Sequence, residues 1–125
     1  MFVHVATLYS VRPECADRFI QSIRAGGDFH RAARCLAPDL IAFDLLQHQS
    51  SPTPLFLCID FWASKEKYLR ARNSAVYDYL LSLRNQLAAA TIEFGAFMFP
   101  PPAEMGTQTP KSADFCAGTK GWGAQ

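Results

Sequence analysis

Two aspartates and a histidine carry most of the chemical potential of this sequence. Asp44 and His48 lie on an apolar run, Leu40 to His48, and Asp60 lies on a second, Leu55 to Trp62. Both runs read as strands, so side chains alternate between faces. Asp44 and His48 then share a face with Leu40, Ala42 and Leu46, and Asp60 shares one with Phe56, Cys58 and Trp62. A hairpin register that sets His48 opposite Phe56 and Ala42 opposite Trp62 brings Asp44 opposite Asp60. The two carboxylates would stand roughly 5 Å apart. Like charges that close do not both ionise in a dry pocket, so one is expected to hold its proton more tightly. That suits a general base working near neutrality, with Asp44, Asp60 or His48 taking the proton. The competing expectation is structural, with each aspartate paired to an arginine across a dimer.

The elements that must position these groups follow from the pattern around them. Phe2 to Tyr9 is apolar on both faces, as in a strand covered on both sides. Pro13 suits a first helical position, with Glu14 and Asp17 at the positive end of the helix dipole. Phe19, Ile20 and Ile23, then Phe29, Ala32, Ala33 and Leu36, form an apolar stripe that Gly26-Gly27 interrupts. The polar, proline-rich stretch from Gln49 to Pro54 is a loop, and its brevity makes the strands on either side an antiparallel hairpin. Ser64 caps a short helix, and Ser74 caps a second with Val76, Leu80, Leu83 and Leu87 as its buried stripe. Ile92 to Phe99 is a last strand. The predicted order is strand, helix, strand, strand, broken helix, strand, which is the split βαβ, ferredoxin-like α+β plan with a four-stranded antiparallel sheet. Helices on one side of that sheet leave its other side bare. A bare face rich in large apolar residues should not stay in water, so two copies are expected to press these faces together as a homodimeric α+β barrel.

Composition bounds the rest. The chain has 125 residues, 50% hydrophobic and 18% charged, with a formal net charge of +1. One domain over 1–99 is expected, with a Pro/Gly-rich tail over 100–125 whose natural anchors are Phe115 and Trp122. Near-neutral charge argues against nucleic acid and anionic membrane surfaces as partners. No apolar run approaches the roughly 18 residues of a membrane helix. The N-terminus shows neither the basic block nor the small-residue cleavage site of an export signal, and no two of Cys15, Cys35, Cys58 and Cys116 have the spacing of a zinc or thioredoxin-like pair. A reducing cytoplasm is therefore expected, with the thiols acting as small hydrophobes. His4, His30 and His48 form no helical metal pair, and no metal site is expected; nor is there a phosphate-binding glycine loop or a nucleophile elbow. The basic residues Lys65, Lys67, Arg70 and Arg72 read as a solvated face.

With this plan, the stretch from Phe61-Trp62 through the Ser64 cap and the short helix to the break at Asn73-Ser74 resembles the antibiotic biosynthesis monooxygenase superfamily of dimeric α+β barrels. The resemblance spans about residues 1 to 99. It implies a homodimer holding a small aromatic, polyketide or quinol-type molecule in a barrel pocket, and oxygenation without a bound cofactor. Such chemistry needs a base, because a phenolic substrate meets dioxygen only as its electron-rich anion. The same resemblance offers Trp62, Phe56, Phe97 and Phe99 to stack on the ring. Thr7, Tyr9 and Tyr77 are candidate polar contacts, and Glu93 and His4 are further bases if they face inward. The superfamily also contains haem-degrading members, which use a first-strand Asn, a Trp after the third strand and a His after the helix break. Trp62 matches the Trp, while Thr7 stands at the Asn position and Ala71 and Tyr77 stand where the His would be. A hydrophobic-ligand-binding barrel without catalysis and an isomerase or lyase of a cyclic metabolite are the other functions this plan admits.

Overall fold

A computed structural model describes residues 2–100. The tail beyond, with Phe115, Cys116 and Trp122, lies outside the described residues. The elements run β1 (Val3–Val11), a 3-10 turn (Pro13–Cys15), α1 (Ala16–Ile23), α2 (Asp28–Leu36), β2 (Leu40–Gln47), β3 (Leu55–Trp62), α3 (Lys65–Arg72), α4 (Ala75–Asn85) and β4 (Ala88–Phe97). The strands form one antiparallel sheet in the order β2-β3-β1-β4. This is the expected ferredoxin-like α+β plan. No helix among the described residues is long and apolar enough to cross a membrane.

Local signals explain most boundaries. The predicted caps form as expected: Ser64 Oγ accepts from the Lys67 N–H and Ser74 Oγ from the Tyr77 N–H. The helix predicted from Pro13 splits at Gly26-Gly27. Gly26 takes a φ of 89°, open to glycine at no steric cost. A Cβ on Gly27 would collide with the α1 carbonyls of Gln21 and Ser22. The last strand begins at Ala88, not Ile92. Ala88 to Ala90 has little strand propensity, but this segment satisfies the outer backbone groups of β1 through pairs from Val11↔Ala88 to Leu8↔Ile92.

The sheet has two unlike faces. Val3, Val5, Thr7, Tyr9 and Val11 of β1 and Phe56, Cys58, Asp60 and Trp62 of β3 are all buried under the helices. Tyr9, Phe19 and Phe56 stack there with ring centroids 5.1 to 5.2 Å apart. The other face carries Leu8, Leu57, Ile59, Phe61, Ile92 and Phe97 among others, and no helix among the described residues covers it. Ile92 and Phe97 are each 55% exposed.

Candidate functional site

The hairpin register decides which predicted groups can meet. The β2–β3 pairs are Asp44↔Ile59, Phe43↔Asp60 and Gln47↔Phe56, and the His48 N–H donates to the Leu55 carbonyl beside the loop. This differs by one residue from the register that sets Asp44 opposite Asp60. Because strand side chains alternate, the slip puts the two aspartates on opposite faces of the sheet. The expected carboxylate pair does not exist. A bulge between Leu40 and Ala42 returns Leu40 to the helix side while Ala42, Asp44 and Leu46 face away from it.

Each predicted site residue therefore falls on one side or the other. Asp44 and Phe97 are exposed on the uncovered face. His48 is exposed at the hairpin end, its ring Nδ1 accepting from the Ser50 N–H at 3.1 Å. His4 is also on the uncovered face, edge-on to Phe61 and Phe99. Thr7, Tyr9, Phe56, Asp60, Trp62 and Tyr77 come together on the other side, inside the helix-covered layer. The structure thus corrects the placement of Trp62, Phe56 and Thr7 on a barrel-facing surface. The β1–β3 register sets Val3 opposite Trp62, Thr7 opposite Cys58 and Tyr9 opposite Phe56, so all of them share the helix-covered face.

Asp60 is held by a residue not marked as a site candidate. Arg84 of α4 donates from Nη1 to Oδ1 at 3.0 Å and from Nη2 to Oδ2 at 2.9 Å. Both residues are buried, at 5% and 2% exposure. The guanidinium also lies over the Phe29 ring at 4.4 Å and the Tyr9 ring at 5.4 Å. Burial works against the charge on Arg84, but the Asp60 carboxylate more than reverses it and keeps the guanidinium protonated. The sequence did contain a signal: Arg84 sits four residues after Leu80 and three before Leu87, on the stripe that must be buried. The predicted arginine partner exists for Asp60, but it comes from the same chain and not from a second copy.

The remaining polar groups of this layer are neutral. Burial raises the Tyr9 and Tyr77 hydroxyls above the ordinary tyrosine range. Arg84 partly opposes the shift at Tyr9, and nearby Tyr68 and Glu93 add to it at Tyr77. Burial pushes the Cys58 thiol up to about 12, again partly opposed by Arg84. Two consequences are testable. Cys58 resists alkylation in the native protein near pH 8, whereas the exposed Cys35 reacts, which peptide mapping after iodoacetamide reads directly. Stability also depends on alkaline pH. The unfolded thiol ionises near its ordinary 9.0 while the folded one stays protonated. The stabilisation is complete below about pH 9 and is lost as pH rises toward 12. Tyr9 and Tyr77 act in the same direction. The Tm should fall steadily above pH 9, and less steeply in Cys58→Ala. A Tm that holds constant to pH 11 would contradict this account of the interior.

Trp62 forms the link between this interior and a cavity. Its ring meets Tyr68 at 5.9 Å and Tyr77 at 6.2 Å. Its indole Nε1–H is buried with no acceptor among the described residues. A cavity of ≈ 210 Å³ lies against it, walled by Leu36, Ala37, Val76, Tyr77 and Leu80, with Asp39, Lys67 and Arg70 at its edge. Sites for drug-sized ligands run to roughly 300–1,000 Å³, so this one suits a one- or two-ring molecule. An apolar chamber of this size can hold a flat ring against Trp62. Among the described residues, no group of three or more His, Cys, Asp or Glu is placed to hold a metal ion.

Comparison with known proteins adds the fold's relatives. No protein-family model matches the sequence, and no curated protein matches it. Solved structures do. SnoaB, a cofactor-independent oxygenase from Streptomyces nogalater, superposes with a TM-score of 0.58 at 15% identity, over 83% of this chain and 98% of that one. An antibiotic biosynthesis monooxygenase superposes with a TM-score of 0.57 at 19% identity, over 79% and 99%. A conserved protein from Methanosarcina mazei Go1 superposes at 0.56 and 13% identity, over 78% and 91%. At such identities the likeness is one of fold, and the fold of this chain is that of the antibiotic biosynthesis monooxygenases.

Proposed function

We propose that this protein is a cofactor-independent monooxygenase that oxidises a small aromatic, polyketide or quinol-type molecule in the cavity beside Trp62. One observation carries the reading: an apolar cavity sized for one or two rings that has in its lining Trp62, whose buried Nε1–H lacks an acceptor among the described residues. The fold of SnoaB, named a cofactor-independent oxygenase, supports the chemistry. A hydroxylated ring of low pKa loses its proton, and the resulting anion is electron-rich enough to pass an electron to dioxygen. Recombination forms a C–O bond at a ring C–H, and loss of water from the resulting hydroperoxide breaks the O–O bond and leaves C=O, so dioxygen is the oxidant and the substrate supplies all four electrons. The indole N–H steadies the anion's oxygen. Asp60 has no part as a base, since Arg84 occupies both its oxygens. The proton therefore leaves to water, which restricts the substrate to acidic phenols and anthrone-like compounds.

The working form in this reading is a cytoplasmic homodimer joined through the uncovered sheet face. The exposure of Leu46, Ile92 and Phe97 on that face supports it. Oxygen uptake with anthrones, dihydroxynaphthalenes and quinols tests the function. The expected result is saturable uptake above the buffer blank, with kcat lowered about 10²-fold in Trp62→Phe, the loss typical of one donor to a developing anion. Uptake no faster than the blank overturns the reading. The lack of a free base in the interior among the described residues favours one second reading, a barrel that binds such a ring without turning it over. Saturable binding with no oxygen consumption would select it.

A further inference from the structure

The edge of the Trp62 cavity carries more positive charge than its fold requires. Lys67, Arg70, Ala71 and Ser74 all border it. Their spacing of three, four and seven residues puts them on one side of α3 and of the break that follows it, where Ser74 caps α4. Lys65 and Arg72, on the same helix, do not border the cavity. So the basic residues of α3 divide, and only Lys67 and Arg70 belong to the cavity. Lys65 and Lys67 stand in the first turn of α3, at the positive end of its dipole, where cations are unfavourable. A local rule broken at a cavity edge is where function is expected to compensate. One acidic group answers at this edge: Asp39 Oδ1 lies 3.3 Å from Lys67 Nζ. Arg70 has no ion-pair partner among the described residues. The edge therefore bears two cations and one anion around an apolar chamber.

We infer that the cavity takes an aromatic acid, its ring against Trp62 and its carboxylate at Arg70 and Lys67. This rests on the proposed use of that cavity and narrows it to substrates or products that carry an anionic substituent. Arg70 supplies a planar fork suited to a carboxylate, and Lys67 supplies a point charge shared with Asp39. Both side chains are largely in water, so the gain is that of a screened pair, about fivefold in affinity.

Two compounds of matched ring and hydroxyl test this, 1-naphthol and 5-hydroxy-2-naphthoate, whose carboxylate is on the other ring and cannot bond its own hydroxyl. Each is titrated calorimetrically into the full-length protein at low ionic strength. The naphthoate is expected to bind about fivefold more tightly than the naphthol. Arg70→Gln should remove that preference and Arg70→Lys should keep part of it. Asp39→Asn, which releases Lys67, should widen the preference. Affinity for 1-naphthol should be the same in all of them. Equal binding of the two compounds by the wild-type protein overturns the anion reading and leaves the cavity reading intact. A preference that survives both Arg70→Gln and Lys67→Gln does the same. Failure of both compounds to bind overturns the cavity reading itself, and this inference with it.

Discussion

Asp60→Ala is expected to lower stability by about 3–5 kcal/mol, the cost of leaving a buried charge without its partner. Arg84 is 2% exposed, and both its terminal nitrogens donate to Asp60. Remove the carboxylate, and the guanidinium stays inside between the Tyr9 and Phe29 rings. Neither ring can replace an anion. Arg84 Nε already lacks an acceptor among the described residues, so no spare hydrogen bond softens the loss. The pair is not itself a large source of stability, because both ions had to leave water. The double variant Asp60→Leu/Arg84→Met, which fills the same space with apolar atoms, should therefore recover most of what the single variant loses. Urea unfolding of the wild type, the single and the double variant gives the comparison. If Asp60→Ala proves as stable as the wild type, the Asp60–Arg84 pair is not buried in solution as described.

The second large effect concerns the uncovered face. Ile59 lies on the central strand β3, between Ala6 of β1 and Asp44 of β2, with Leu57 and Phe61 beside it on the same face. In the proposed homodimer this position is enclosed, and a two-fold interface presents every substitution twice. Ile59→Asp would leave an unpaired carboxylate buried in each copy, at about 3 kcal/mol or more apiece. That weakens association by roughly 10⁴-fold. Within one chain the same side chain points away from the helices, so the protomer should keep its far-ultraviolet circular dichroism. Light scattering after gel filtration should give twice the 13.9 kDa chain mass for the wild type and the single mass for the variant. A wild type of single mass would dispose of the dimer, whatever the variant does.

The order of elements, the capping serines at 64 and 74, the break at Gly26-Gly27 and the uncovered apolar face were all legible in the sequence. Each depends on residues near one another in the chain: a hydroxyl three residues before the N–H it accepts from, a glycine where φ turns positive, an apolar period of two or 3.6. The grouping of Asp60 with Phe56, Cys58 and Trp62 was legible for the same reason. What period cannot reveal is which face of the sheet a strand offers to the helices. That depended on a register fixed by the Gln49–Pro54 loop and a bulge at Ile41, and a displacement of one residue separated Asp44 from Asp60. The start of β4 at Ala88 likewise came from the unpaired backbone of β1 and not from the alanines' own preference. The partner of Asp60, twenty-four residues away on α4, was set when helix and sheet closed on each other. A buried carboxylate must find its cation wherever packing brings one, and distance along the chain carries no record of that choice.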